Sequence, residues 1–155
     1  MISVRPARLT DLSDFKLILG TIELFPPEFL DDMIAPYLAD ADAGPRWYAA
    51  EQDGAVTGLA YCAPMELAEG TYNLYAIGVR ADRQGQGTGG QIMRYVEEEL
   101  RAAGHRLLIV DTSGTDDFKL TRRFYEKLGY EREAVIRDFW ADGDDKVTFR
   151  KRLKS

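Results

Sequence analysis

The sequence predicts an α+β fold, with a mixed, mainly antiparallel sheet of about seven strands and about four flanking helices. Three strand-like segments follow one another between residues 47 and 79, which is typical of an antiparallel meander. A helix and a continuous apolar strand come next, which adds a crossover connection to the same sheet. At 155 residues the chain is long enough to bury a substantial core. We therefore expect a single domain over residues 1–155.

The first third of the chain predicts one strand and two helices. Residues 2–5 alternate between apolar and polar and form the first strand. Thr10 or Asp11 can cap a first helix, because both side chains accept hydrogen bonds from free backbone N–H groups. The Pro26-Pro27 pair begins a second helix, since proline suits a first helical turn. We expect Pro36 to break or kink that helix.

The meander occupies the middle of the chain. A strand over residues 47–51 is followed by Asp53-Gly54, a strong hairpin signal, and then by a strand over residues 56–62. Gly70 turns the chain into a third strand over residues 71–79. We therefore expect three antiparallel neighbours that lead directly into a glycine-rich segment.

The last part of the chain alternates helices and strands. An amphipathic helix is predicted over residues 91–103, with Glu97 among the residues on its outward face. Residues 107–110 form a continuous apolar run, as expected of a buried, partly parallel strand, and a polar loop follows. A helix over residues 118–128 precedes two final strands. Those strands are predicted over residues 130–136 and 146–153.

The glycine-rich segment between the third meander strand and the next helix is the strongest functional signal. Four glycines lie within the six residues from Gly85 to Gly90. Without Cβ atoms the backbone can turn its N–H groups inward, and the following helix points its positive dipole end at the same place. This arrangement predicts an anion site, with phosphate as its usual occupant.

Two nucleotide-binding motifs compete for this segment. Gly85-x-Gly87-x-x-Gly90 satisfies the dinucleotide-binding fingerprint, and Asp111 lies about twenty residues beyond it. Against that interpretation, residues 80–84 separate the glycines from the preceding strand, and the strands before them form a meander. No Gly-Lys-Ser/Thr follows the glycines, which excludes a Walker-type loop.

Two segments carry a resemblance to a known family. Residues 84–89 resemble the Gln/Arg-x-x-Gly-x-Gly/Ala signature of the GNAT N-acetyltransferase superfamily, and residues 75–79 resemble the strand that precedes it. Residues 121–130 resemble the later helix of that superfamily, which typically reads Phe-Tyr-x-x-x-Gly-Phe/Tyr. The predicted order of elements is also that of the superfamily, over essentially the whole chain.

The resemblance implies acetyl-CoA as acyl donor and an N-acetyltransferase that moves the acetyl group to a primary amine. The amine would attack the thioester directly in a ternary complex. The glycine loop would bind the pyrophosphate, and the preceding strand would pair with the pantetheine arm. Ser113 stands in the loop where many members carry asparagine. The implied cofactor-binding residues are Ile77, Gly78, Val79, Gln84, Gly85, Gln86, Gly87, Thr88, Gly89, Gly90, Ser113 and Thr121.

The resemblance also implies catalytic residues. Tyr125 matches the tyrosine that protonates the departing thiolate in many members, and a phenol is protonated at neutral pH. For the general base we predict Glu66, on the turn between two meander strands, with Glu69 and Glu23 as alternatives. Cys62 is most simply a small buried strand residue rather than a nucleophile.

The acceptor is the least determined part of the prediction. The acceptor is a small-molecule or peptide amine, and Phe25, Phe29 and Tyr37 are candidates for its pocket, although core packing explains them equally well. An alternative function is a non-catalytic acyl-CoA-binding sensor or interaction module. The resemblance is also compatible with a homodimer formed through exposed strand edges.

Composition limits the remaining classes of partner. A net charge of −6 argues mildly against nucleic acid, because phosphate neutralisation needs clustered Lys and Arg. One cysteine and one histidine, His105, leave no disulfide and no metal-ligand cluster to expect. No segment has the length and hydropathy of a membrane span. We expect a cytoplasmic protein with no membrane partner and no metal.

Overall fold

A computed structural model describes residues 1–154 and contains one seven-stranded mixed sheet. The strands lie in the order β1-β2-β3-β4-β5-β7-β6, and every neighbouring pair is antiparallel except β4 and β5, which are parallel. The strands are β1 (Ile2–Pro6), β2 (Arg46–Gln52), β3 (Ala55–Pro64), β4 (Thr71–Val79), β5 (Leu107–Ser113), β6 (Glu131–Ala141) and β7 (Asp144–Arg152).

Four α-helices cover the two faces of this sheet, which confirms the predicted fold class and order of elements. Two helices pack with Trp47 and Leu59 on one face, and the other two pack with Leu74 and Leu108 on the opposite face. Each face is therefore the base of its own hydrophobic core. The helices of the first face are α1 (Leu12–Thr21) and α2 (Leu30–Ala39), and those of the second are α3 (Thr88–Ala102) and α4 (Lys119–Lys127).

Two local features of the helices differ from the predictions. Pro36 does not break α2, which continues to Ala39, because one missing donor near a helix end leaves the other turns in place. Glu97 faces the core and not solvent. The hydroxyl of Tyr130 donates a hydrogen bond of 2.7 Å to this carboxylate, and Lys151 Nζ donates another of 2.9 Å. These two donors offset the cost of burying the charge.

The segment after the apolar run of β5 also differs from the prediction. Residues 111–113 were expected in a loop, but β5 continues to Ser113 because β7 pairs with it as far as Ser113 opposite Lys146. The side chain of Asp111 therefore projects from a strand. No helix of the described residues is long and apolar enough to cross a membrane.

The feature that positions the functional site is a gap between the two parallel strands. Pairing of β4 with β5 ends at Leu74 opposite Val110. Beyond that point β4 stays paired only with β3, and β5 only with β7. The register of β3 against β4 also shifts here, so that Tyr75 has no directly opposed partner on β3. Because their pairing ends there, β4 and β5 diverge and leave one edge of β4 free.

Candidate functional site

A cavity of about 630 Å³ occupies the gap between β4 and β5. Its walls come from residues 74–79 of β4, residues 110–112 of β5, the glycine loop, and the N-terminal part of α4 with the turn before it. The segment between α1 and α2, residues 22–24, closes a further side. The cavity therefore joins the end of the glycine loop to the centre of the sheet.

The glycine loop has the backbone conformation that its composition predicts. Gly85 and Gly87 have φ angles of 80° and 86°, in the left-handed region that side chains disfavour. Gln84 fixes the loop to the end of β4, because its Nε2 donates a hydrogen bond of 3.0 Å to the carbonyl of Val79. Helix α3 begins at Thr88, directly after the second of these glycines. Its free N–H groups and positive dipole end make this loop a site for an anion.

Two further glycines of the loop lie in the first turn of α3, and only one of them touches the cavity. A Cβ on Gly89 would lie 3.2 Å from the ring of Phe124, so a glycine is needed where α3 meets α4. Gly89 also lines the cavity. Gly90 does not line it and has open space around its Cα, with Arg94 as its nearest neighbour.

The free edge of β4 brings together the three residues that were predicted to bind the pantetheine arm. Ile77, Gly78 and Val79 all line the cavity. A Cβ on Gly78 would lie 2.6 Å from Cδ1 of Ile22, so this position lets the segment after α1 approach the strand closely. That approach brings residues 22–24 to the cavity wall.

Tyr125 projects from α4 into the same cavity. Its side chain is 2% exposed and packs against the rings of Phe124, Tyr130 and Phe149, at centroid distances of 5.2, 5.7 and 5.9 Å. Burial raises the pKa of this phenol well above its usual value. Its hydroxyl forms no hydrogen bond with the part of the chain that the structure describes. Tyr125 is therefore a protonated donor on the cavity wall, with Thr121 one turn before it on the same wall.

The carboxylates predicted from the sequence divide between the cavity and the surface. Glu23 lines the cavity, on the segment that follows α1. Glu66 lies on an exposed turn before the first residue of β4, whereas the glycine loop follows the last residue of that strand. The structure therefore does not bring Glu66 to the other predicted site residues. The neighbouring Glu69 lies on the same exposed turn.

Five of the predicted cofactor contacts lie outside the cavity lining: Gly87 and Gly90 of the glycine loop, and also Gln86, Thr88 and Ser113. The side-chain oxygen of Gln86 accepts a hydrogen bond of 2.9 Å from Gln52, which directs it towards β2. The Thr88 hydroxyl is buried without a hydrogen-bond partner among the described residues. Ser113 is engaged within the chain, because its hydroxyl donates a hydrogen bond of 2.5 Å to Asp144. Ser113 therefore holds the β6–β7 turn, a role that the sequence does not suggest.

The single cysteine, which was weighed as a nucleophile, and the single histidine both lie in structural surroundings. Cys62 is fully buried on β3, and burial raises the pKa of its thiol to about 12, so little reactive thiolate forms at neutral pH. The ring of His105 packs against Tyr72 at a centroid distance of 4.6 Å, and burial lowers its pKa. Neither side chain lines the cavity.

The aromatic candidates for an acceptor pocket are also separated. Phe25 lines a second pocket of about 370 Å³, which shares residues 22–24 with the main cavity. Tyr37 belongs to the core, where its hydroxyl donates a hydrogen bond of 2.8 Å to the carbonyl of Ala7. Phe29 is exposed and lines neither pocket.

Sequence reasoning misses several residues of the cavity. Tyr75 and Asp111 line it on either side of the point where β4 and β5 diverge. Leu120, 76% exposed, lines it from α4, together with Phe118 from the preceding turn. Asp111 follows a continuous apolar run and precedes two further polar residues, so the sequence gives no signal that the strand continues through it. The two apolar residues also have no signal in the sequence, because helical spacing alone cannot distinguish a cavity wall from a core face.

Comparisons with known proteins identify the family. The sequence profile of the acetyltransferase (GNAT) family matches residues 12–130, which is more than half of the chain. An amino-acid acetyltransferase of Ralstonia nicotianae (strain ATCC BAA-1114 / GMI1000) is 30% identical over 124 residues. These make up 78% of this chain and 26% of that protein, so the chain spans about a quarter of the length of its relative.

Solved structures give the same result. A crystal structure from Desulfovibrio desulfuricans, assigned to the GNAT family of acetyltransferases, is 32% identical, with a TM-score of 0.91 over 99% of this chain and 100% of that one. The yncA protein of Salmonella typhimurium, solved with acetyl-CoA, has a TM-score of 0.80 at 18% identity, over 99% and 95% of the two chains. The resemblance predicted from the glycine loop and the Phe-Tyr helix is confirmed. The chain belongs to the acetyltransferase (GNAT) family.

Proposed function

We propose that the protein transfers the acetyl group of acetyl-CoA to a primary amine of a small molecule or a peptide, by direct attack in a ternary complex. The observation that carries this proposal is the single cavity between the diverging strands. It joins an anion site at the glycine loop to a buried, protonated phenol. A donor with a phosphate group at one end and a thioester at the other fits both ends of such a cavity.

The glycine loop is the proposed site for the pyrophosphate of the donor. Gly85 and Gly89 line the cavity where α3 begins, and the free N–H groups of the first helical turn can donate to phosphate oxygens there. The acetyl-CoA bound to the yncA protein, which shares this fold, supports the choice of donor.

The free edge of β4 is the proposed site for the pantetheine arm. Beyond Leu74 the strand has no partner on the side of β5, so its outward backbone groups are available to an extended ligand. A backbone N–H group on this edge, near the irregularity at Tyr75, would also donate to the thioester oxygen as negative charge develops on it.

Tyr125 is the proposed acid for the departing thiolate. Its phenol lines the cavity, and burial keeps it protonated across the pH range in which an acetyltransferase works. Because no described residue accepts a hydrogen bond from this hydroxyl, its proton is available to a ligand. The identity of the general base stays a prediction, and the exposed position of Glu66 gives that residue no support.

The test is the release of free thiol from acetyl-CoA across a panel of primary amines that includes amino acids, short peptides and polyamines. Amino acids belong in the panel because of the amino-acid acetyltransferase relative. We expect amine-dependent thiol release and an acetylated product detected by mass spectrometry. Tight acetyl-CoA binding without turnover on any amine would contradict the proposal and favour a sensor.

A further inference from the structure

Asp111 occupies the position where the two diverging strands separate. It is the first residue of β5 after the last pair of the parallel ladder, Leu74 with Val110, and it lines the cavity. Its side chain is half-buried, and its Oδ1 accepts a hydrogen bond of 2.7 Å from the hydroxyl of Thr148 on β7. A strand residue with a hydrogen-bonded carboxylate is held in one orientation.

This carboxylate has no cationic partner among the described residues. The two charged side chains that flank Thr148 on the same side of β7 are engaged elsewhere. Lys146 lies over the ring of Phe139 at 4.1 Å, and Arg150 forms an ion pair of 3.0 Å with Glu131. The negative charge of Asp111 is therefore available to a ligand in the cavity.

The charged residues of the cavity wall favour a positively charged ligand beside Asp111. Among residues 1–154, no lysine or arginine lines the cavity, whereas two carboxylates, Glu23 and Asp111, do. The other titratable groups on the wall are the phenols of Tyr75 and Tyr125. In an otherwise largely apolar wall, an unpaired carboxylate favours an ammonium group, because the low local dielectric strengthens the attraction.

Glu23 is the competing carboxylate, and its position is less suited to proton transfer. It lies on the segment after α1, at the boundary that the main cavity shares with the second pocket. Asp111 lies on a paired strand, next to Tyr75 and the free edge of β4. Asp111 therefore presents a fixed, half-buried carboxylate where β4 and β5 separate, whereas the side chain of Glu23 is exposed.

We propose that Asp111 binds the ammonium group of the acceptor and removes a proton from it, so that the acceptor enters as a cation. This inference rests on the proposed acetyl transfer. Asp111 takes one proton from the ammonium, and the neutral amine attacks the thioester carbon. The C–N bond forms, the C–S bond breaks, and Tyr125 donates its proton to the sulfur. The nitrogen loses a second proton as the amide forms, which restores Tyr125 through solvent, and Asp111 releases its proton to solvent.

The experiment compares the wild type with Asp111→Asn, which keeps an oxygen that can accept from Thr148. Asp117→Asn is the matched control, because Asp117 is exposed, does not line the cavity, and undergoes the same change of charge. We expect kcat/KM for the best amine of the panel to fall about 10²-fold in D111N at pH 7 and to stay unchanged in D117N. The dissociation constant for acetyl-CoA should be unchanged in both variants.

The pH dependence of the loss in D111N distinguishes a structural role of Asp111 from proton removal by its carboxylate. As the pH rises towards 10, more of the acceptor amine is already neutral, so the loss in D111N should shrink to below about 10-fold. A loss that is the same at every pH would contradict the proposal. A full loss in Glu66→Gln or Glu23→Gln, with normal activity in D111N, would also overturn it while leaving the acetyltransferase function intact.

If the wild type acetylates no amine of the panel, the proposed function fails and a binding measurement decides this inference. Spermidine and the amino acids of the panel are titrated calorimetrically into the CoA complexes of the wild type and D111N. Weaker binding to D111N supports the ammonium site. Equal affinities contradict it, as does a wild-type complex that binds none of these amines.

Discussion

The two halves of β4 have different roles. Residues 72–74 are paired on both edges, with β3 on one side and β5 on the other, and all three are buried. Residues 76–79 pair only with β3, and Tyr75, which has no opposed partner, is 53% exposed. The first half is a structural element of the core, while the second half is the wall of the cavity.

This comparison shows that the cavity exists because the second half of β4 has no partner on the side of β5. Both halves carry β-forming apolar residues, so their propensities do not distinguish them. What differs is the direction of β5, which pairs with β7 beyond Val110 and leaves β4. An unpaired strand edge inside a protein is costly unless a ligand satisfies it, so the free edge itself indicates a binding site.

The largest effect should come from the paired half. Leu108 is fully buried on β5, opposite Tyr72, and Leu108→Ala should lower the free energy of unfolding by about 2–5 kcal/mol, because a cavity remains in the core. Ile77→Ala, in the free half, should cost less, because Ile77 is only half-buried. Urea denaturation measures both. Equal losses would show that the two halves contribute alike to stability.

The next effect concerns the acid in the cavity. Tyr125→Phe should lower kcat about 10²-fold and change the free energy of unfolding by less than about 1 kcal/mol, because the lost hydroxyl has no hydrogen-bond partner among the described residues. Since burial raises the pKa of Tyr125, the phenol stays protonated and kcat should not fall up to pH 10. Full turnover by the variant at every pH would remove Tyr125 from the acid role.

A smaller effect is expected at the glycine loop. Gly85 and Gly143 have φ angles of 80° and 79°, and neither would bring a new Cβ within 4 Å of another atom. Changing either to Ala should therefore cost a similar backbone strain, about 1 kcal/mol. Only Gly85→Ala should weaken acetyl-CoA binding, by about 10-fold in calorimetry, because only Gly85 lines the cavity. Equal affinities of the two variants would argue against phosphate binding at this loop.

The smallest effect tests the wall that faces the segment after α1. Gly78→Ala would place a Cβ at 2.6 Å from the side-chain tip of Ile22 and 3.2 Å from Leu24, so these side chains must move away. We expect KM for the acceptor amine to change several-fold, with a smaller change in affinity for acetyl-CoA. Steady-state kinetics with each substrate varied separately measures both. If only the affinity for acetyl-CoA changed and KM for the amine did not, the acceptor would have to bind on another side of the cavity.

The glycine loop could be predicted closely because its conformation is a local property. Positive φ angles at Gly85 and Gly87 and the helix start at Thr88 follow from residue types that are adjacent in the chain. The three residues of β4 next to the loop and Tyr125 line the same cavity, although their binding and catalytic roles stay predictions. Their positions within two motifs, the strand before the glycine loop and the Phe-Tyr helix, made this prediction possible.

The carboxylates could not be assigned in this way. Glu66 seemed suitable because it follows a meander strand, but that turn is exposed at the start of β4, while the glycine loop lies beyond its end. Asp111 was interpreted as a loop residue, and pairing with β7 places it in a strand beside the gap. Ser113 was expected to face a ligand and instead bonds to Asp144. The outcomes for Asp111 and Ser113 each depend on a partner that lies more than thirty residues away.

By itself, the sequence determined the order of the elements, the conformation of the glycine loop and the family, because these depend on short segments and their succession. Only the tertiary structure decided where β4 loses its partner, which carboxylates face the cavity, and that Glu97 is buried. The reason is physical: a turn or a helix start is governed by neighbouring residues, whereas a cavity is defined by contacts between segments that are distant in the chain.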